Sequence, residues 1–430
     1  MKGVQHLFNR SNTFFIIWCM IAAFGAYFCM YAFRKPFNAG VYAGLTLWGL
    51  HYKSILVITQ VMGYMLSKFI GIKIISELKS TSRNKLIVLL ILIAEVALLL
   101  FGLVPYPYNF VCLFLNGLPL GMVWGVVFSY LEGRRFTEVL AMGLSTSLII
   151  SSGYLKTIYF YVHDWFPSLS EFWLPFVIGL LFLPLFLLFV WMLSVIPAPT
   201  AEDIQRRSPR LPMTDTDKKN VFRLYGIGLV GLVIVYAMLA TLRDFRDNFS
   251  VEIWNEIQPG WNKTVFAKTE TIAGLVVLIA VGLLSAIKSN RKGFIAVNIL
   301  IIVGLCTTGI STLLFHINLL HPFWWMLLCG TGMFLAYIPF QVAMFERMIA
   351  FFRIKANAGF FVYICDAIGY LGSVILLLYK EFLMKDLSWS SMLIKFSYME
   401  VVVSMAIMLL CIAFFLNKKK QPVVIPDLTG

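Results

Sequence analysis

Charged residues are scarce in this sequence of 430 residues, and their scarcity limits the class of protein that it can encode. Only 13% of the residues are Asp, Glu, Lys or Arg, whereas 60% are hydrophobic. A soluble domain carries about 25% charged residues, because its surface must face water. The composition therefore excludes an ordinary soluble protein and indicates that many apolar side chains face lipid.

Sequence motifs of the common enzyme classes are also missing. The sequence has no Walker A loop, no HExxH zinc motif, no nucleophile elbow and no kinase signature. Its seven cysteines form no CxxC pair and no cluster with histidine, so we expect neither a metal site nor a disulfide framework. No nucleic-acid motif accompanies the net charge of +14. We therefore expect no enzymatic activity, no cofactor and no nucleic-acid partner.

Apolar runs of about 20 residues are long enough to cross a bilayer as helices. Two sets of six such runs are separated by a Pro-rich and charged stretch at 197–220. The sequence thus predicts an all-α integral membrane protein with 12 transmembrane helices in two pseudo-symmetric six-helix bundles. The predicted bundles are 1–196 and 221–417, with a cytoplasmic linker at 197–220 and a cytoplasmic tail at 418–430. The runs lie near 14–33, 55–75, 86–104, 110–130, 141–161, 172–196, 222–242, 267–287, 294–315, 323–345, 358–380 and 395–416.

Lysines and arginines in alternate loops predict the orientation in the membrane. The loops after the second, fourth, eighth and tenth runs are basic, as is the linker, whereas those after the third, fifth and ninth contain no Lys or Arg. The positive-inside rule then places both termini in the cytoplasm. We expect a monomer embedded in the lipid bilayer of the plasma membrane, which in a bacterium is the inner membrane.

Basic side chains occur beside or within the apolar runs, where an ionisable group costs on the order of 3 kcal/mol. Arg34 and Lys35 follow the first run, Lys68 lies in the second, and Arg243 ends the seventh. One interpretation is that these side chains snorkel to the membrane interface. The other is that Arg34 and Arg243, at matching points of the two halves, converge on one anion near the midplane. The planar guanidinium suits phosphate or carboxylate because it donates two parallel hydrogen bonds.

Acidic residues near these cations have two candidate roles. Asp366 and Glu270 could titrate as proton-coupling groups or serve as structural partners of basic side chains, and we favour pairing. Asp244 and Asp247 lie one and four residues after Arg243. Residues three or four positions apart are neighbours on a helix, and we expect at least one of these acids to pair with Arg243 or with Arg246.

Tyrosines share helix faces with the same cations. Tyr27 and Tyr31 precede Arg34 by about two turns and one turn, and Tyr64 precedes Lys68 by four residues. These hydroxyls either anchor the helices at the membrane interface or line a polar cavity.

The stretches that carry these residues resemble the major facilitator superfamily, and within it the organophosphate:phosphate antiporters. They are YFCMYAFRKPF at 27–37, YMLSKFIGIKIISELKSTSRNK at 64–85, LRDFRDNFS at 242–250 and ANAGFFVYICDAIGYLGS at 356–373. The resemblance implies that Arg34 and Arg243 clamp a phosphate and that Lys68 is the helix 2 lysine. The histidine of helix 5 in that family has no counterpart, since its position falls near Ser151. The tyrosines that it implies along the cavity are Tyr27, Tyr31, Tyr64, Tyr337 and Tyr370.

The function that this resemblance implies is secondary active transport by two bundles that rock about a central site. We expect the substrate to be a small organic anion, namely a phosphate ester, inorganic phosphate or both, moved by exchange. One alternative is proton-coupled transport of another organic anion, with Asp366 or Glu270 titrating. Another is a membrane receptor that binds a phosphate ester without transporting it.

Overall fold

Long α-helices dominate the computed structural model, which describes residues 8, 11–76, 78–131, 137–197, 215–354, 356 and 358–418. A two-residue antiparallel hairpin, β1 (Thr46–Leu47) and β2 (Leu50–His51), interrupts them early in the chain. The first half contains α1 (Asn12–Ala32), α2 (Tyr52–Ser76), α3 (Arg83–Leu103), α4 (Phe110–Leu131), α5 (Thr137–Trp165) and α6 (Leu174–Ser194). The second contains α7 (Asp215–Asn248), α8 (Ser250–Ile257), α9 (Val265–Ser285), α10 (Asn290–His316), α11 (Pro322–Pro339), α12 (Phe345–Phe352), α13 (Ala358–Leu383) and α14 (Trp389–Asn417).

The described chain contains 11 helices that are long and apolar enough to cross a membrane. One of them is the continuous stretch Pro322–Phe352, which joins α11 and α12. Helix α5, with 29 residues, is also long enough to cross a membrane. Its Ser and Thr side chains and Lys156 lower its mean hydropathy, so it is not among the 11. The all-α membrane fold that the sequence predicts is confirmed.

Helix α7 extends beyond its predicted limits of 222–242 at both ends. It begins at Asp215, so the predicted linker 197–220 overlaps its first turns, and residues 198–214 lie outside the described part. The predicted tail lies outside it as well, from residue 419 onward. At the other end the helix continues to Asn248 through LRDFRDN. Buried ion pairs satisfy the charges of that stretch, so a count of apolar residues ends the helix too early.

Close packing joins the two halves along two pairs of helices, α5 with α9 and α2 with α13. Gly153 of α5 makes the first contact possible, since a Cβ atom there would lie 2.4 Å from the carbonyl oxygen of Phe266. Within the halves, α1 packs on α5 and α6, and α7 packs on α13 and α14. The helices α1, α2, α5, α7, α9 and α13 therefore surround the boundary between the halves.

A π-helical turn at Phe340–Met344 interrupts the stretch Pro322–Phe352. Pro339 precedes it and supplies no backbone N–H, which favours a local break in the helical hydrogen-bond ladder. Tyr337 and Gln341 lie on the two sides of Pro339, and the Gln341 Nε2 donates to the Tyr337 hydroxyl over 2.8 Å. The break thus sets the position of two polar side chains in a mainly apolar stretch.

Candidate functional site

Arg34 follows the C-terminal end of α1 and is buried, with 7% of its surface exposed. Its guanidinium carbon lies 3.9 Å from the centre of the Tyr64 ring and 5.7 Å from that of Tyr31. Its Nε has no hydrogen-bond partner, and no described carboxylate pairs with it. Interfacial snorkelling is therefore wrong for this residue. Arg34 is a buried cation that faces aromatic rings and no described carboxylate, an arrangement that suits the binding of an anionic ligand.

Arg243 lies in α7 and differs from Arg34 in its surroundings. Its Nη2 and Nε donate to the Asp244 carboxylate over 2.7 and 3.1 Å. The second oxygen of that carboxylate accepts a hydrogen bond from Ser373 of α13 over 2.9 Å. The Tyr337 ring centre lies 4.4 Å from the Arg243 guanidinium carbon. Asp244 thus neutralises Arg243, one of the pairings that the sequence left open, although helical spacing of four residues would have favoured Asp247.

A group of tyrosines near the two arginines, called here the tyrosine wall, consists of Tyr27, Tyr31, Tyr64 and Tyr370. The ring centres of Tyr27 and Tyr31 are 5.5 Å apart, and those of Tyr64 and Tyr370 are 5.2 Å apart. Tyr31 and Tyr370 each lie within electrostatic range of both Arg34 and Arg243. All five predicted tyrosines are buried. The structure therefore brings the predicted arginines and tyrosines into one region of the boundary between the halves.

Lys68 of α2 is also buried rather than snorkelling to an interface. Its ammonium lies 3.3 Å from the Asp366 carboxylate of α13 and 5.5 Å from the Tyr64 ring centre. The hydroxyl of Tyr236 donates to the other oxygen of Asp366 and lies 2.9 Å from the Tyr337 hydroxyl. Asp366 therefore serves as the partner of Lys68 and connects the two halves beside the tyrosine wall.

Lys35 and Lys156 share one carboxylate of the opposite half, that of Asp247. The Lys35 ammonium lies 2.6 Å from its Oδ2 and the Lys156 ammonium 2.7 Å from its Oδ1. Ser152 also donates to this carboxylate. Asp247 is thus paired with neither Arg243 nor Arg246, and snorkelling is wrong for Lys35 too. Two cations of the first half face a single acid of the second.

Arg246 and Glu270 form an ion pair within the second half, with 2.9 Å between Nη1 and Oε1. The Nη2 of Arg246 also donates to the Met326 carbonyl oxygen over 2.8 Å. This contact gives Glu270 a structural partner, as favoured above over the coupling role.

Further links join the halves on the side of the molecule where α1 ends and α2 begins, called here the α1–α2 side. Lys53 lies 2.5 Å from Glu252 of α8. Burial raises the pKa of the Glu252 carboxyl in spite of that lysine. The Glu381 carboxylate accepts hydrogen bonds from Ser54 over 2.5 Å and from the backbone N–H of His51 over 3.2 Å. These contacts close the α1–α2 side of the boundary.

Lys53, Lys156 and Asn248 are site residues that the sequence reasoning missed. Asn248 accepts hydrogen bonds from Lys35 and from Asn38, both over 2.8 Å. A signal was present for Lys156, because it interrupts the predicted apolar run 141–161 just as Lys68 interrupts 55–75. Lys53 lies two residues before a predicted run, where a charge looks like an ordinary flanking residue.

The described residues contain no group of three or more His, Cys, Asp and Glu side chains that could hold a metal ion. The carboxylate of Glu95 in α3 lies apart from the site, against Gly179 of α6, and neither of its oxygens has a hydrogen-bond partner.

Several solved structures share this fold. The nucleoside transporter NupG is 14% identical, with a TM-score of 0.60, over 94% of this chain and 100% of its own. A bacterial homologue of the human lysosomal transporter Spinster is 12% identical, with a TM-score of 0.61, over 95% and 99% of the two chains. The D-xylose–proton symporter is 14% identical, with a TM-score of 0.59, over 95% and 99%. At these identities the likeness establishes the major facilitator fold and no more.

No curated protein matches the sequence. A family model does match it over residues 36–419, a range that begins two residues after Arg34. Its description is a family of unknown function, DUF5690. Because the match covers most of the chain, the protein belongs to the DUF5690 family.

Proposed function

We propose that this protein is a secondary transporter that moves a small organic anion across the plasma membrane, with Arg34 binding the anionic group. The substrate that we favour is a phosphate ester, inorganic phosphate or both, moved by exchange. The single observation that carries the proposal is the state of Arg34, which is buried at the boundary between the halves without a carboxylate partner. An uncompensated cation at membrane depth is costly, so it needs a functional reason.

Ion pairs between the halves support alternating access. Lys35, Lys53 and Lys156 contact the second half on the α1–α2 side. Lys68, which contacts Asp366, lies 15 residues after Lys53 in α2. This separation is about 22 Å along a straight helix. In our proposal the first set breaks when the site opens to the α1–α2 side and Lys68–Asp366 breaks when it opens to the other side.

Orientation, oligomeric state and the tyrosines enter as parts of the same proposal. Both termini lie in the cytoplasm, so the α1–α2 side faces outward, and the protein acts as a monomer in the bilayer. Tyr27, Tyr31, Tyr64 and Tyr370 supply hydroxyls and ring faces for the remainder of the substrate. Tyr337 and Arg243 line the same region from the second half.

Exchange in liposomes tests the proposal. Purified protein is reconstituted into vesicles loaded with inorganic phosphate, and uptake of labelled phosphate is measured. We expect saturable exchange that needs phosphate on the inside. Arg34→Gln removes a charge-assisted hydrogen-bond donor worth about 1.5–3 kcal/mol, so it should weaken binding about 10- to 100-fold.

Arg291→Gln is the matched control, because Arg291 lies exposed at the start of α10. It should exchange phosphate as the unchanged protein does. Absence of saturable flux with phosphate and with phosphate esters would reject the proposed substrate. Binding without flux would instead favour the receptor.

Proton-coupled transport is the second candidate, and the Asp366 contacts favour it specifically. This carboxylate joins the halves through Lys68 and accepts a hydrogen bond from Tyr236, so a proton on Asp366 would weaken the link. Uptake driven by a pH gradient without internal phosphate, and lost in Asp366→Asn, would establish this candidate. Exchange at a rate independent of the pH gradient would exclude proton coupling.

A further inference from the structure

Charge at the boundary between the halves does not balance. Seven cations lie there in the described residues, six of them buried and Arg243 partly buried, and five carboxylates pair with six of the seven, which leaves two positive charges in excess. At the rim of the α1–α2 side, Lys380 and Glu381 contribute one charge of each sign and leave the excess unchanged. The cations are Arg34, Lys35, Lys53, Lys68, Lys156, Arg243 and Arg246, and the carboxylates are Asp244, Asp247, Glu252, Glu270 and Asp366.

The two excess charges have definite positions. One belongs to Arg34, whose described surroundings are tyrosine rings. The other belongs to the pair of lysines at Asp247, because a single carboxylate neutralises only one of them. The four remaining cations each face one carboxylate of their own.

The two positions are neighbours. Lys35 directly follows Arg34 in the chain, and the Arg34 charge acts on the Lys35 ammonium. Tyr31 lies within electrostatic range of both Arg34 and Asp247. A group held at Arg34 is therefore also in the field of the lysine pair.

We propose that the anionic group held at Arg34 carries two negative charges, the second of them neutralised by Lys35 while Lys156 keeps Asp247. The ligand class is then a phosphate monoester or inorganic phosphate as the dianion, and not a phosphodiester or a carboxylate. The inference rests on the proposed anion site and specifies its charge. Lys156 acts as a positioning residue, since it frees Lys35 by holding the shared carboxylate.

The closing experiment compares two ligands that differ by one charge. Methyl phosphate is largely a dianion at pH 7.5, because the second pKa of a phosphate ester is about 6, whereas dimethyl phosphate is a monoanion. Binding to the purified full chain is measured by calorimetry. We expect methyl phosphate to bind about tenfold more tightly or better, which corresponds to about 1.4 kcal/mol or more.

Variants of the lysine pair then test the assignment. Lys156→Met should weaken the binding of methyl phosphate about tenfold and that of dimethyl phosphate less than about twofold. In this variant Asp247 retains Lys35, so one excess charge is lost. Lys156→Arg should keep the preference. The double variant Lys156→Met, Asp247→Asn should restore it, because it removes one charge of each sign. Lys263→Met is the control, with its ammonium paired to Asp164 and partly exposed.

Equal affinity of the unchanged protein for the two ligands would overturn the inference and leave the anion site standing. Equal weakening of the binding of both ligands by Lys156→Met would also overturn the inference. No binding of either ligand, together with no exchange of any anion, would instead reject the proposed function. If Lys156→Met does not fold, the ligand comparison on the unchanged protein and on Lys156→Arg still decides.

Discussion

The half before the linker and the half after it contribute different charges to their common boundary. In the buried ion pairs that cross it within the described chain, the first half supplies the cation and the second the carboxylate. The second half also carries arginines at the boundary, but Arg243 and Arg246 pair with Asp244 and Glu270 of the same half. The first half thus presents a basic face and the second an acidic one. The halves attract each other, and the cation without a carboxylate partner beside the tyrosine wall, Arg34, belongs to the first half.

This asymmetry distinguishes two arginines that occupy matching positions in the sequence. Arg34 lies against aromatic rings without a carboxylate, whereas the next residue in the chain neutralises Arg243. Matching positions therefore do not imply matching roles. We infer that Arg34 binds the anion and that Arg243 becomes available only when Asp244 is removed or neutralised.

The largest effect is expected where a single partner of a buried crossing pair is lost. Lys68→Met leaves Asp366 buried without its cation, which should lower the free energy of unfolding by about 3–5 kcal/mol. The double variant Lys68→Met, Asp366→Leu leaves no unpaired charge and should lose much less. Denaturation in detergent measures both. A double variant no more stable than the single one would contradict this account of the boundary.

A smaller effect should follow from making the second half resemble the first. Asp244→Asn frees Arg243, so binding of inorganic phosphate should tighten about tenfold, or about 1.4 kcal/mol. Ser373→Ala removes a hydrogen bond to the same carboxylate without changing the charge, and it should leave the affinity within about twofold. Calorimetry on both variants decides, and unchanged affinity in Asp244→Asn would show that Arg243 does not reach the anion.

The smallest effect concerns a pair of reversed polarity, in which Lys263 of the second half meets Asp164 of the first. Both side chains are substantially exposed. Lys263→Met should therefore change the free energy of unfolding by less than about 1 kcal/mol, and the change should fade in 1 M salt. A larger, salt-resistant loss would mean that the rule of basic first half and acidic second half fails at the surface.

The sequence predicts the membrane helices well, because about 20 apolar residues are needed to cross a bilayer wherever they occur. It failed at the end of α7, where Arg243, Asp244, Arg246 and Asp247 continue the helix as paired charges that are buried or partly buried. Apolar counting treats every charge as solvated and cannot see that a partner removes the cost of burial.

The ion pairs across the boundary could not be predicted from the sequence, for a related reason. The Arg243–Asp244 pair joins adjacent residues in the chain, whereas Lys35 and Asp247 are separated by more than 200 positions. Only the packing of α1, α5 and α7 brings Lys35, Lys156 and Asp247 together. Single residues of the site were therefore predictable, but the charge balance between them was not.

The uncompensated guanidinium of Arg34 also makes the proposed transport cycle sensitive to voltage. Moving one elementary charge through 100 mV changes the free energy by about 2.3 kcal/mol. If the empty protein reoriented, Arg34 would cross a fraction of the membrane field, and that fraction would add to or subtract from the barrier. A bound anion cancels that charge and makes the loaded protein less sensitive to the potential. Exchange of one bound anion for another would then depend little on the membrane potential, whereas any reorientation of the empty protein would carry current.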